Sequence, residues 1–347
     1  MHPTAVTVQA LTPEFETRWE RYTCSHAAGS PYHQLFMRDV LHDVSGHRPH
    51  YRVAVDAVGQ VCGVLPLVEL RSRLFGHFLV SLPYVTYSGP LADSDEVATA
   101  LMLDACGLAK DLGVSHAEFR DCQPRDGDWA CRSDKVNMQL SLPDSADALW
   151  RGFGSKLRAQ IRRPIKAGAV AKTGGREFLD DFYAVYARNM RDLGMPAQPK
   201  SLFAAVLEGY PEVYIVVVYL AGTPAAAGFM LGGYGRLDIP WASSLREYNH
   251  HSVNMLLYWE ALRLAIELGH DTFDFGRSSP DSGTHRFKRQ WGAHAVPLYW
   301  HYWLRDGASM PSLSPESTKY QLLIAAWQRL PVSVTTFIGP RIIRALP

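Results

Sequence analysis

Residues 271–300 read DTFDFGRSSPDSGTHRFKRQWGAHAVPLYW, and this stretch decides how the rest of the chain is interpreted. Its apolar and aromatic residues 273–276 predict a short buried strand. The turn-forming residues 278–283 then predict a loop. A basic and aromatic cluster follows and is closed by Gly292. Cations between aromatic residues just beyond a strand end favour an anion, or a developing negative charge, as their target.

The same spacing has a simpler interpretation. Arg286, Lys288 and Arg289 would form a solvated helical face, while Phe287 and Trp291, four residues apart, pack inward. Spacing alone favours this interpretation, because a short basic helix is a weak functional signal.

A repeat inside the chain predicts its architecture. LAKDLGVSHAEF at residues 108–119 matches LAIELGHDTFDF at residues 264–275, with Gly113 opposite Gly269. Upstream, VGQVCGVLPL resembles AGTPAAAGFML, with Gly63 opposite Gly228. Each half predicts strand, turn, strand, loop, helix, glycine cap and strand, in that order. A period of domain size indicates two copies of one mixed α/β domain rather than a solenoid.

The order DFGR, loop, GTHRFKRQWG resembles the C-terminal signature of the FemAB-like family of peptidyl and aminoacyl transferases, where a DFxG-type strand precedes an RFK-x-x-[FW]-G element. It is most similar to the branch associated with exosortase/PEP-CTERM systems, which residues 63–76, 81–91 and 329–340 also resemble. The resemblance covers nearly the whole chain. It implies an α/β fold of two tandem GNAT-like acyltransferase domains with a C-terminal helical tail. We place the domains at residues 1–145 and 146–305, and the tail helix at residues 306–347.

The resemblance also implies roles for residues of the motif. Lys288 is the expected catalytic residue, stabilising the oxyanion of a tetrahedral state, while Phe287 keeps its pocket dry. Arg277 and Arg286 would hold a substrate phosphate or carboxylate. Asp274 is either the base that deprotonates the acceptor or a strand carboxylate hydrogen-bonded to backbone. The remaining candidates for substrate binding are Trp241, Tyr248 and Asn249.

The expectation about cofactors comes from residues 246–254, REYNHHSVN, at the start of a predicted helix. An acetyl-CoA-dependent domain carries a glycine-rich turn here, because a bare backbone can approach the pyrophosphate closely. This sequence has no glycine at that place, and Glu247 adds an opposing charge. We therefore expect no tightly bound cofactor and a carrier-bound acyl donor, with aminoacyl-tRNA favoured over acyl-CoA.

A basic helix is predicted between the two copies. Leu157, Ile161 and Ile165 recur at helical spacing, and Pro164 limits or kinks the helix. Its cations form either a solvated linker face or a surface that binds phosphates or RNA. The resemblance favours the second alternative, because FemAB-like proteins open their second domain with a similar helix. The cations assigned to this surface are Lys156, Arg158, Arg162 and Arg163.

Composition limits the classes of function. The 347 residues are 47% hydrophobic with a net charge of +1, which argues against DNA binding and restricts any tRNA contact to a local patch. Five scattered cysteines without metal-ligand spacing predict reduced thiols and no metal site. We find neither a signal sequence nor an 18-residue apolar run, which predicts a cytoplasmic protein.

The tail combines a linker at residues 310–317 with an amphipathic helix in which Tyr320, Ile324 and Trp327 share a face. It either docks on the second domain or makes peripheral contact with the inner membrane. The expected function is transfer of an aminoacyl or acyl group to an amine of a small or lipid-linked precursor of the cell envelope or an exopolysaccharide. The alternatives are an acyltransferase that uses acyl-CoA or acyl carrier protein, and a non-catalytic assembly protein of an envelope export system.

Overall fold

The computed structural model describes residues 6–72, 76–311 and 318–346. The chain divides into two compact units. The first comprises Met1–Val136, Val296–Ser312 and Arg344–Pro347, and the second comprises Asn137–Ala295 and Leu313–Ile343. Each unit has its own sheets and its own core.

The described residues form strands β1 to β17 and helices α1 to α11. The strands are β1 Thr7–Ala10, β2 Arg48–Pro49, β3 Arg52–Val55, β4 Val61–Leu65, β5 Val68–Ser72, β6 Gly76–Val80, β7 Leu91–Ala92, β8 His116–Asp121, β9 Ala130–Arg132, β10 Val136–Ser141, β11 Val170–Gly174, β12 Val213–Leu220, β13 Thr223–Gly233, β14 Arg236–Ser244, β15 Thr272–Ser278, β16 His294–Pro297 and β17 Tyr299–Leu304. The helices are α1 Pro13–Ser25, α2 Leu35–Ser45, α3 Asp95–Asp111, α4 Ala146–Gly152, α5 Ser155–Lys166, α6 Leu179–Leu193, α7 Lys200–Gly209, α8 Val253–Glu267, α9 Gly283–Arg289, α10 Thr318–Gln328 and α11 Val332–Ile343.

Helix α3 organises the core of the first unit. It begins where the side chain of Ser94 accepts a hydrogen bond from the Val97 N–H, and acidic residues in its first turn complement the helix dipole. Leu101 on its apolar face lies in one buried cluster with Leu65 of β4 and Phe119 of β8. The strands of this unit form two sheets, ordered β1-β3-β4-β7 and β2-β5-β6-β8-β17-β9.

A seven-stranded sheet organises the second unit, in the order β11-β12-β13-β14-β15-β10-β16. Strands β11 to β14 are antiparallel neighbours, whereas β14 and β15 are parallel. Both α6 and α8 pack on this sheet. The rings of Phe182 on α6, Phe203 on α7 and Phe229 on β13 lie about 5 Å apart (4.9 to 5.4 Å) and fill the core beside it.

Two pairs of equivalent glycines have the same structural role in the two copies. A Cβ atom added at Gly63 of β4 would lie 3.0 Å from Leu101 of α3, and one added at Gly228 of β13 would lie 3.3 Å from Leu257 of α8. Both glycines therefore let a helix approach its sheet closely. Gly113 and Gly269 both have positive φ and end α3 and α8 in the same way. The structure thus has the two mixed α/β units and the C-terminal helices that the sequence predicts.

The boundaries of the units differ from those predicted at residues 145 and 305. The first unit ends at Val136, because β10 from Asn137 onward belongs to the sheet of the second unit. The first unit also includes Val296–Ser312, because β17 pairs antiparallel with β8, Tyr299 opposite Asp121. These differences arise from strand pairing over a long sequence separation, which a local pattern does not encode.

The C-terminal helices pack on the second unit. Both α10 and α11 contact α6, and Trp327 donates a hydrogen bond from Nε1 to the Met195 carbonyl (3.1 Å). Residues 312–317 of the predicted linker and the side chain of Tyr320 lie outside the described residues. Throughout the described part of the chain, every helix is too short or too polar to cross a membrane.

Candidate active site

The central motif forms a strand, a loop and a short helix, as its sequence predicts. Strand β15 ends at Ser278, one residue into the segment predicted to be loop, and α9 begins at Gly283. Ser282 caps α9 by accepting a hydrogen bond from the His285 N–H (3.1 Å). The buried His285 ring closes the loop, since its Nδ1 accepts from the Asp281 N–H (3.3 Å).

Lys288 is buried on the inner side of α9 and has an exposure of 7%. Its Nζ donates hydrogen bonds to the carbonyls of Gly276 and Arg277 at the end of β15, both at 2.9 Å. Burial lowers the pKa of Lys288 to about 8. The negative charge of Asp274 acts in the opposite direction, and the positive charge of Arg277 lowers this pKa further. The solvated-face interpretation is therefore wrong for Lys288, although Arg286 and Arg289 are exposed as it requires.

Asp274 has hydrogen-bond partners at both carboxylate oxygens. Oδ1 accepts from the Gly276 N–H (2.7 Å), and Oδ2 accepts from the side-chain amides of Asn137 and Gln139 on β10. This arrangement agrees with a strand carboxylate bonded to backbone, which orders the turn at Gly276, where φ is +76°. Asn137 and Gln139 were not predicted from the sequence, although polar residues at i and i+2 in an apolar strand were a signal for them.

Aromatic rings surround the inner face of α9. The half-buried Phe287 ring lies 5.0 Å from that of Tyr258 on α8, and the Tyr258 ring stacks on Phe275 at 5.5 Å. Trp291 is buried beside Phe287 with ring centroids 6.3 Å apart. These contacts form an apolar and aromatic layer between α8, α9 and β15.

The end of β15 carries Arg277 and Ser278, and the following helix α9 carries Arg286. Arg277 and Arg286 are exposed, and Arg286 donates a hydrogen bond to the Asp281 carbonyl (2.8 Å). Ser278 is buried, and its Oγ has no hydrogen-bond partner among the described residues. No sequence pattern indicates this buried hydroxyl, because serine is an ordinary loop residue.

Strands β14 and β15 separate beside this motif. They pair in parallel at three positions, from Arg236 opposite Thr272 to Asp238 opposite Asp274, although both strands continue beyond. Beyond Asp238 and Asp274 the two strands are therefore not paired with each other. Trp241 lies on this later part of β14, half-exposed, with its ring 5.1 Å from Phe203 and 5.7 Å from Phe229.

The turn before α8 contains Tyr248 and Asn249. Residues Arg246–His251 form a 3₁₀ helix, in which Tyr248 is half-buried and Asn249 is exposed. Glu247 forms a bidentate ion pair with Arg188, at 2.7 and 3.1 Å. A pyrophosphate needs bare backbone N–H groups at such a turn, and here side chains and a carboxylate occupy it.

The corresponding place in the first unit is filled by a buried ion pair. By the repeat, Glu118 corresponds to Asp274 and Arg120 to Gly276. Arg120 donates from Nε to Glu118 (2.7 Å) and from a terminal nitrogen to the Val85 carbonyl (2.7 Å), and its guanidinium lies 4.4 Å from the centre of the Trp300 ring. We therefore assign the candidate site to the second unit.

Helix α5 presents the predicted cations to solvent. Leu157 and Ile161 are buried against α8, and Pro164 lies in the last turn without ending the helix before Lys166. Lys156, Arg162 and Arg163 are exposed, Arg158 is half-exposed, and the Arg162 guanidinium lies 5.1 Å from the Trp150 ring. The helix contains no acidic residue, so it is a continuous positive surface.

Comparison with known proteins agrees with this architecture. Residues 155–289 match the family described as Acetyltransferase (GNAT) domain, so the second unit contains a GNAT-type domain. No curated protein matches the chain.

Solved structures extend the likeness to both units. FemX has a TM-score of 0.65 at 14% identity, covering 84% of this chain and 96% of FemX. The C-terminal domain of a putative lysylphosphatidylglycerol synthetase from Agrobacterium fabrum has a TM-score of 0.58 at 12% identity, covering 85% and 93%. A tandem GNAT protein from the clavulanic acid biosynthesis pathway has a TM-score of 0.56 at 13% identity, covering 88% and 100%. At these identities the likeness establishes the fold, and the predicted fold of two tandem GNAT-like domains with a C-terminal helical tail is confirmed.

Proposed function

We propose that this protein is an acyltransferase that moves an aminoacyl or acyl group from a carrier to an amine. The observation that carries the proposal is the buried Lys288 ammonium, held at the end of β15 beside the opening between β14 and β15. A cation in such a partly dry place interacts strongly with a developing negative charge. With a pKa of about 8, it is mostly protonated at neutral pH.

The proposed reaction joins an amine to an activated ester. The amine nitrogen attacks the ester carbonyl carbon, and the carbonyl oxygen becomes an oxyanion. Two N–H groups of Lys288 are bonded to backbone carbonyls, which leaves the third for this oxyanion. The bond to the carrier oxygen then breaks, and the proton lost by the amine ends on the leaving hydroxyl. Because the hydrogen bonds of Asp274 engage both of its oxygens, water or a substrate carboxylate is the better proton carrier.

Aminoacyl-tRNA is the proposed donor. The acid-free face of α5 suits a phosphate backbone, and the turn before α8 does not suit a CoA pyrophosphate. The name of one structural neighbour, lysylphosphatidylglycerol synthetase, describes joining a lysyl group to a lipid. By analogy, the acceptor we propose is an amine of a small or lipid-linked envelope or exopolysaccharide precursor, and the exosortase/PEP-CTERM association belongs to the same proposal.

Transfer from acyl-CoA is the second candidate, because the matching family is described as an acetyltransferase domain. Calorimetry with acetyl-CoA separates the two donors. We expect no binding tighter than millimolar, whereas a micromolar dissociation constant, about −8 kcal/mol, would favour the acyl-CoA candidate.

The catalytic test replaces Lys288 by alanine and supplies labelled aminoacyl-tRNA with an extract of envelope precursors. Loss of one oxyanion partner should reduce turnover by about 100-fold or more. Lys288→Arg should not restore turnover, because the planar guanidinium of arginine does not occupy the position of the compact lysine ammonium. Arg289→Ala is the matched control, since Arg289 is the exposed neighbour. Near-normal turnover in folded Lys288→Ala would overturn the assignment.

The donor test reverses two charges on α5. The double variant Arg158→Glu and Arg162→Glu should weaken tRNA binding and reduce the slope of log affinity against log salt by about 2 to 4. Reversing exposed Arg21 and Lys110 of the first unit changes the net charge equally and serves as the control. Equal effects of the two double variants would indicate that the cations of α5 form only a solvated face.

A further inference from the structure

Exposed apolar side chains are concentrated at one place on the second unit. Eleven large hydrophobic residues in the described part of the chain are exposed. Five of them are scattered: Val58, Leu103, Ile165, Val170 and Leu268. The other six lie at the end of α6 and on α10 and α11: Leu193, Met195, Leu322, Leu323, Phe337 and Ile338. We call these six residues the tail face.

Packing around one short segment brings the tail face together. Gln328 donates a hydrogen bond from its side chain to the Asp192 carbonyl (3.0 Å), and Ile324 packs on Gly194. Gly339 of α11 lies against Ala197, where an added Cβ would be 3.1 Å from the backbone nitrogen. Both helices therefore use their inner sides to hold residues 192–197.

The outer sides of these helices carry exposed apolar residues. Leu322 and Leu323 are 68% and 66% exposed, whereas Ile324 and Gln328 on the same helix contact residues 192–194. Phe337 is 68% exposed on α11. Leucine and phenylalanine side chains so fully exposed on two consecutive helices mark a surface that another apolar phase covers.

Charge identifies the kind of partner. Residues 318–347 contain no aspartate or glutamate, although the whole chain has 34, and Arg329, directly after α10, and Arg341, on α11, are both exposed. The Arg341 guanidinium lies 4.6 Å from the centre of the exposed Phe337 ring. Exposed apolar side chains beside an exposed arginine match the interface of an anionic bilayer, where aromatic rings enter the acyl boundary and cations contact lipid phosphates.

We propose that the tail face docks on the surface of an anionic membrane, with α10 and α11 lying in the plane of the interface. Neither helix is long enough to span a bilayer, so the contact is peripheral and reversible. The proposal does not depend on the reaction at Lys288. If that reaction also holds, the docked protein meets a lipid-linked acceptor at the membrane.

Co-sedimentation with vesicles of defined composition tests the proposal. The protein should bind vesicles of phosphatidylglycerol and phosphatidylcholine, and bind pure phosphatidylcholine vesicles at least about tenfold more weakly. The double variant Leu323→Ser and Phe337→Ser should reduce binding to the mixed vesicles by about tenfold or more. Val58→Ser with Leu103→Ser is the matched control, because both residues are exposed apolar side chains of the first unit.

Several outcomes would overturn the proposal. One is failure of the wild type to bind the mixed vesicles, and another is an equal loss in the two double variants. A third is concentration-dependent dimerisation in sedimentation velocity that Leu323→Ser with Phe337→Ser abolishes, since the tail face would then bind a second copy.

Arg341→Glu gives an independent readout, because it should weaken binding to mixed vesicles and leave the melting temperature unchanged.

Discussion

Replacement of Lys288 by methionine removes a buried charge while keeping an unbranched side chain. Burial lowers the pKa of Lys288 from 10.5 to about 8. A lysine with a lower pKa in the folded protein binds its proton more weakly there than in the unfolded chain. The unfolded state therefore holds more protons between these two pH values, and stability increases as the pH rises through them. From about pH 7 to about pH 10 this increase amounts to about 2.5 kcal/mol.

Urea denaturation of both proteins at several pH values measures this effect. Other groups titrate alike in the two proteins, so the difference between their unfolding free energies isolates Lys288. Wild type should gain about 2.5 kcal/mol relative to Lys288→Met across that range. A ¹³Cε-lysine NMR titration provides a direct second measurement, in which the resonance missing from the variant should titrate near 8. A constant difference in stability, or a titration near 10.5, would refute the argument for a desolvated ammonium.

Three further predictions concern packing and buried polar groups. Asp274→Ala leaves the Gly276 N–H and two amides without their acceptor, so we expect a loss of about 3 kcal/mol, and an unchanged melting temperature would contradict the hydrogen bonds described. Glu118→Gln breaks the buried ion pair with Arg120 and should lower the free energy of unfolding by about 3 to 5 kcal/mol, measured by urea denaturation of the first unit. Removal of an exposed charge should lower it by less. Gly228→Ala should destabilise by about 1 to 3 kcal/mol, because its Cβ would lie 2.8 Å from Ile239; a calorimetric melting temperature equal to wild type would disprove the close contact.

The sequence by itself determined the local structure and the duplication. Gly113 and Gly269 end equivalent helices because glycine enters the left-handed region without steric cost, and a sequence pattern shows this directly. Strand and helix periods likewise predicted β15 and α8, since these depend on neighbouring residues. The motif around Lys288 was predicted as strand, loop and basic helix for the same reason.

Tertiary structure decided which of these residues are buried and what they contact. Asn137 bonds to Asp274 although 137 residues separate them, and Trp300 covers Arg120 from a strand that returns to the first unit. The same is true of Lys288, which spacing alone placed on a solvated face and which is buried. Backbone conformation follows from adjacent side chains, whereas burial, pKa and hydrogen-bond partners depend on segments that meet when the chain folds.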